Sequence, residues 1–288
     1  MKRRPSDILF DACNTALCVL VCLIVLYPFL YIISVSLSDS TFISKNEVTF
    51  FPIGLNLEAF RRILAMEKIR TSFLNSVFYT GFGTLLNLVL TTMLAFPLSR
   101  RHLIGRKFFT GLIVIPLFFS GGIIPTYMVV HYLGIKNTLW SIVLPWAILS
   151  YYLILVKTFF EGIPEEILES ASIDGSNDLR TYINIVLPLS TTIIATVGLF
   201  YAVDNWNNFS NALFYLYDQR KYPLSLVLKE MLVTMEQSHN TISTNEKLVV
   251  QEAIQSAVIV VSVLPLMLIY PFVHKYFRKG ITLGALKG

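Results

Sequence analysis

The sequence is short of charge. Only 14% of its 288 residues are Asp, Glu, Lys or Arg, against 55% hydrophobic, whereas a soluble domain carries about 25% charged residues. The deficit is concentrated in six runs without Asp, Glu, Lys or Arg. They lie between Asp11 and Asp39, Arg70 and Arg100, Lys107 and His131, Lys136 and Lys157, Arg180 and Asp204, and Glu252 and His274. Each holds roughly 20 or more residues, enough to cross a hydrocarbon core of about 30 Å at about 1.5 Å per residue. The runs are continuously apolar rather than alternating, which speaks against a β-barrel. The expected fold is all-α, a polytopic bundle of six transmembrane helices.

Other absences narrow the function. An ionisable residue inside a span costs roughly 2.5–3.5 kcal/mol or more at the bilayer centre, and such residues mark ion or proton paths. The empty runs therefore argue against a proton- or sodium-driven pump and leave open a route for neutral polar solutes. The three cysteines, Cys13, Cys18 and Cys22, all fall at or inside the first run, so no disulfide framework is implied. The four histidines are scattered without metal-ligand spacing. No G-x-x-x-x-G-K-[ST] occurs, so the chain has no P-loop of its own. No nucleophile–base constellation stands out either, which leaves an intramembrane enzyme a distant reading.

The charges that are present set an orientation. Lys2, Arg3 and Arg4 precede the first run, and Arg100, Arg101, Arg106 and Lys107 fill the short loop after the second. Lys275, Arg278, Lys279 and Lys287 follow the sixth. All fall on one side if six spans are real, and the positive-inside rule makes that side, with both termini, cytoplasmic. The net charge of +5 follows from this bias and does not call for nucleic acid. The first run is too long for a signal-peptide core and lacks a clean small-residue cleavage site, so it reads as an uncleaved span.

The chain is expected to form one transmembrane domain, 1–288, with spans at about 14–37, 73–98, 108–130, 139–158, 184–203 and 254–273. Between the first two, Asn56 is placed to cap a short helix with Leu57, Phe60 and Leu64 on one face. The third span contains Pro116, Gly121, Gly122 and Pro125, residues that kink or loosen a helix. The segment 204–252 is polar, mixed in charge and too short for a separate domain with a large core.

The loop 161–182 has internal order. Pro164 suits a first helical turn, and Glu165 and Glu166 favour the positive end of the helix dipole. Ile167, Leu168 and Ala171 recur at helical spacing, and Gly175 after Asp174 is a C-terminal stop. The result is a helix of about three turns with an apolar stripe, a small residue at its middle and acids around it. A helix resting on lipid would be rich in Lys and Arg. An acidic one suits docking to a protein.

The residues Glu169, Ser170, Ala171, Gly175, Ile185, Leu187 and Pro188 resemble the EAA loop of ABC importer permeases, E-A-A-x3-G-x9-I-x-L-P, with the spacing matched throughout and Ser170 where Ala is usual. Asp174-Gly175 is similar to the form in carbohydrate importers. The C-terminal GITLGALKG resembles the terminal G-x-x-x-G-A-x-K-G of the group that includes the smaller maltose-importer permease and permeases for complex oligosaccharides. The resemblance covers the whole chain. It implies a type I importer permease in a bacterial cytoplasmic membrane. The helix near 164–174 would be the coupling helix seated on a cytoplasmic ATPase, with Glu169, Ala171 and Gly175 as its family-marked residues. Gly280, Gly284, Ala285 and Lys287 would lie in a tail, 275–288, reaching toward the ATPase dimer interface. The implied partners are a second, homologous permease chain, two ATPase subunits holding ATP and Mg, an external sugar-binding protein or lipoprotein, the sugar and membrane lipid. This chain would itself bind no cofactor, would not be an enzyme and would meet no nucleic acid.

Tyr201, Asn205, Trp206, Asn207, Asn208 and Phe209 form an aromatic–amide cluster at the outer end of the fifth span. Rings stack on sugar C–H faces and amides pair with hydroxyls, so the cluster is a candidate substrate path, although Trp and Tyr also populate membrane interfaces in general. Tyr127 in the third span is a further cavity candidate. Two other readings remain: an ABC permease for a non-sugar solute such as an amino acid or phosphate, and a stand-alone secondary transporter or channel.

Overall fold

The computed structural model describes residues 5–239 and 252–269, and within them every regular element is helical. The chain divides into two compact units, Met1–Arg70 with Leu228–Leu264 and Thr71–Val227 with Pro265–Gly288.

In the first unit, α1 (Pro5–Ser36) carries the most apolar window of the chain and buries none of it within the protein, as expected of a lipid-facing span. The following segment folds back onto the end of α1. The Ser34 hydroxyl donates to the Phe50 carbonyl at 2.8 Å, and the Ile53 amide donates to Ser38 Oγ at 3.0 Å. Asp39 caps α2 (Ser40–Ser44) by accepting from the Thr41 amide. Asn56 Oδ1 accepts from the Glu58 amide at 2.8 Å at the start of α3 (Glu58–Ala65), as expected. The buried face of α3 is Ala59 and Ile63, however, and Leu57 and Leu64 are exposed, so the expected stripe is rotated by about a third of a turn. Lys68 pairs with Glu230 at 2.9 Å, and the helix Glu252–Ile269 is long and apolar enough to span.

The second unit is built around α4 (Glu67–Ser99), 33 residues long. After it come α5 (Arg106–Phe118), α6 (Ile123–Tyr132), α7 (Leu139–Val143), α8 (Ser150–Glu161), α9 (Glu165–Ile173), α10 (Asp178–Thr181), α11 (Leu187–Leu189), α12 (Thr191–Asn207), α13 (Ser210–Tyr215) and α14 (Leu224–His239), which belongs to the first unit from Leu228 onward. One core joins Ala95 and Leu98 of α4, Leu153, Val156 and Phe160 of α8, Val186, and Val197 and Tyr201 of α12. A second joins Tyr79, Ile142, Val143, Ala212, Leu216 and Leu226. Glycines let α4 and α12 approach closely: a Cβ on Gly83 would meet Asn205 Nδ2 at 3.0 Å, and one on Gly198 would meet Leu88 Cδ1 at 3.1 Å.

Several expected spans are interrupted. Among the described residues three helices can cross a membrane unbroken: Phe10–Ser36, Glu67–Ser99 and Glu252–Ile269. The third expected span divides at 119–122, where Gly122 adopts φ 81°, in line with its Gly and Pro content. The span expected at 139–158 bends by 56° between Leu139–Trp146 and Ser150–Glu161. The one expected at 184–203 bends by 82° between Asp178–Leu189 and Thr191–Asn207. The second break falls at Ser190, after Pro188. Pro188 lacks an amide hydrogen and its ring collides with the carbonyl four residues earlier, which accounts for the π-helical turn at the preceding Tyr182–Val186. The segment 204–252, expected to be a polar connection, contains α13 and the 16-residue α14. The tail residues Gly280, Gly284, Ala285 and Lys287 lie outside the described residues.

Candidate functional site

Two features flank α12 at its opposite ends. The first is the loop that contains α9. Pro164 precedes the helix, Glu165 and Glu166 occupy its first turn, and Asp174 closes it. Gly175 follows with φ 77°, a left-handed conformation that glycine adopts without the usual steric cost. The Ser176 amide then returns to the Ala171 carbonyl at 2.9 Å. The stripe of Ile167, Leu168 and Ala171 is divided between two faces. Leu168 packs against the core and Ala171 is only 7% exposed, so the small residue faces the protein's own chain. Ile167, Glu169, Ser170 and Asp174 are exposed, and Ile173 is 86% exposed. The outer face of α9 thus presents Ile173 beside the acidic Glu169 and Asp174.

The root of this loop is clamped. The Arg106 guanidinium donates to the Leu98 carbonyl at 2.9 Å and pairs with Glu161, and Lys157 pairs with the same carboxylate at 2.7 Å. The Arg100 guanidinium donates to the Phe160 carbonyl at 3.1 Å and lies over the Phe96 ring. The basic loop after α4, whose charges account for topology in sequence, thus also ties α4 and α5 to the end of α8.

The second feature is a cavity of about 350 Å³ at the C-terminal end of α12. Of the residues expected on the substrate path, Tyr201, Asn205 and Asn207 line it. Trp206 does not. It is 7% exposed and packs edge-on against Phe73, because its position on α12 points it into the protein. Tyr127 is also elsewhere, stacked between His131 and Tyr215 with Lys136 over its ring. Asn208 of the same cluster also lines the cavity, which gains Trp146, Leu149, Asp204, Ser210 and Asn211.

The bend after α7 accounts for this polar wall. A broken helix in an apolar surround must find partners for its freed backbone groups. Asn87 Nδ2 donates to the Trp146 and Ala147 carbonyls at 3.0 and 2.8 Å. Tyr201 Oη accepts from the Leu149 amide at 3.1 Å and shares a 2.7 Å hydrogen bond with Thr91 Oγ1. Asn211 Nδ2 donates to the Ile142 carbonyl, and its Oδ1 accepts from Trp146 Nε1 at 3.0 Å. Asn205 Nδ2 donates to Asn87 Oδ1 at 2.9 Å. Hydropathy had no means of finding Trp146 or Asn211. A pairing of amides with the broken helix was their only signal.

The family model of the binding-protein-dependent transport system inner membrane component matches residues 3–283. The chain belongs to this family. Such a permease is an all-α polytopic membrane protein of a transport system that works with a substrate-binding protein. Among its relatives in Bacillus subtilis strain 168, the protein LplC is 39% identical over 289 residues, covering all of this permease and 98% of LplC. The polygalacturonan/rhamnogalacturonan transport system permease protein YtcP is 39% identical over 290 residues, with both chains covered in full. A chain in the crystal structure of a bacterial ABC transporter involved in import of the acidic polysaccharide alginate is 30% identical. It superimposes with a TM-score of 0.88, over 96% of this permease and 99% of that chain.

Proposed function

We propose that this chain is a transmembrane permease subunit of an ATP-driven, binding-protein-dependent importer of sugars or oligosaccharides. The relatives named for such transport support the substrate class. The observation that carries the coupling role is α9, a capped, acidic helix between two membrane segments, ended by Gly175 at φ 77° and presenting Ile173 outward. In this reading α9 seats on a separate cytoplasmic ATPase, and the chain pairs with a second, similar permease. Two ATPase subunits hold ATP and Mg, an external sugar-binding protein delivers the substrate, and both termini are cytoplasmic. The chain is not the catalyst. Its part is a fit to α9 that differs between two ATPase conformations, since only differential affinity shifts a conformational equilibrium. In this reading the segment from α9 to α12, which contains the 82° break at Ser190, links the loop to the helix that lines the path.

The test is Glu169→Lys in the full importer. ATP-dependent uptake is expected to be lost while the protein remains in the membrane at its normal level. Unchanged uptake sinks the coupling role and favours a transporter acting alone.

A further inference from the structure

The relatives named above include proteins for polygalacturonan and alginate, both acidic glycans. The cavity beside α12 is poorly made for an acid. None of its lining residues is Lys, Arg or His, and its one charged group is Asp204. We propose that this cavity is a subsite for uncharged, hydroxyl-rich sugar units and that Asp204 makes it discriminate against uronates. The inference rests on the importer reading and specifies its substrate class.

A carboxylate leaving water needs a cation or several donors to replace its hydration. Here some of the amide hydrogens are already engaged. Asn205 Nδ2 serves Asn87 and Asn211 Nδ2 serves the Ile142 carbonyl. Asp204 is exposed, and its Oδ2 accepts from Tyr152 Oη at 2.8 Å. That bond fixes the carboxylate and leaves its other oxygen as an acceptor. A sugar hydroxyl, which donates and accepts, satisfies such a group, whereas a second carboxylate is repelled by it.

The rest of the wall suits the same ligand. Trp146 is 51% exposed, and its ring is anchored through Nε1 to Asn211, giving a fixed face for sugar C–H groups. Asn207 is exposed and, among the described residues, has no side-chain hydrogen bond within the protein. Its amide offers one donor edge and one acceptor. The volume of about 350 Å³ falls within the usual range of small-molecule sites, about 300–1,000 Å³.

The experiment places a thiol in the cavity by Asn207→Cys, with Cys13, Cys18 and Cys22 replaced by Ser, in the assembled importer in native membranes. Its reaction rates with cationic trimethylammonium-ethyl and anionic sulfonato-ethyl methanethiosulfonates are compared with those of a free thiol. The cation is expected to be favoured by about tenfold, and Asp204→Asn is expected to remove most of that preference. A preference for the anion, or one that Asp204→Asn leaves unchanged, overturns the proposal. The second readout is protection of the thiol by trigalacturonate and by its carboxyl-reduced, neutral counterpart. Protection by the neutral trimer at lower concentration supports the subsite. Equal or better protection by the uronate, or none by either, sinks it. These outcomes do not touch the importer reading, which stands or falls on ATP-dependent uptake by Glu169→Lys.

Discussion

Asn87→Ala tests how the polar wall of the cavity is held. Asn87 lies on α4 and is 1% exposed. Its side chain makes three hydrogen bonds, two to the carbonyls of Trp146 and Ala147 and one from Asn205. The substitution leaves two carbonyls and one amide donor without partners where α7 gives way to α8. An unsatisfied buried group costs about 1–3 kcal/mol, but side-chain hydrogen bonds between membrane helices are worth nearer ~0.6 kcal/mol each. Three bonds at the lower value and a partial penalty for the stranded carbonyls give about 2–4 kcal/mol. For a chain of this size about 2–4 °C are lost per kcal/mol, so the melting temperature should fall by about 4–16 °C. The assay is thermal unfolding of the purified protein in mild detergent, followed by tryptophan fluorescence, to which Trp146 contributes directly. Val89→Ala, on the same helix at a site 42% exposed, is the control and should move the transition by no more than about 2 °C. If Asn87→Ala melts with the control, the bend is held by apolar packing and the account of the polar wall is wrong.

Two further outcomes follow from glycines. Gly83→Val pushes against the Asn205 amide, which already lies 3.0 Å from the position of an added Cβ. Gly83→Val and Asn205→Ala are each expected to lower uptake, with the double variant no worse than either alone, and full additivity of the two in uptake assays would contradict this. Gly175→Val places a β-branched residue at φ 77°, with no neighbour in the way of its Cβ, so its cost is conformational, about 1–2 kcal/mol. ATP-dependent uptake should drop in Gly175→Val and be largely kept in Gly175→Asn, because Asn tolerates this region. Equal uptake in both variants would show that the turn after α9 is not constrained.

The long helices were legible in the sequence because an unbroken apolar run such as 12–38 carries its own length and hydropathy. So was α9, since Pro164, the paired glutamates and Gly175 are local signals that act within one helix. Gly121 and Gly122 announced the interruption between α5 and α6. The bend between Trp146 and Ser150 had one local sign, Pro145, but Ala147, Ile148 and Leu149 are as apolar as a continuous span. What stabilises the bend is supplied by Asn87, Tyr201 and Asn211, which are remote in sequence. Pro188 was noted as an early residue of the fifth span, but the size of the break at Ser190 depends on the π-helical turn before it. The cavity shows the same division. Tyr201, Asn205, Asn207 and Asn208 stood out by residue type, whereas the inward turn of Trp206 and the arrival of Trp146 from the 3-10 turn after α7 depend on tertiary packing.

The central claim is that the outer face of α9 holds a separate ATPase. The most direct measurement is affinity purification of the chain from its native membrane in mild detergent, as wild type and as Ile173→Asp, with mass spectrometry of the proteins recovered. The account predicts an ATPase, a second permease and a sugar-binding protein with the wild type, and loss of the ATPase with the second permease retained in Ile173→Asp. Recovery of the wild-type chain alone, in a detergent that preserves known complexes, or equal recovery of the ATPase by both forms, would contradict it.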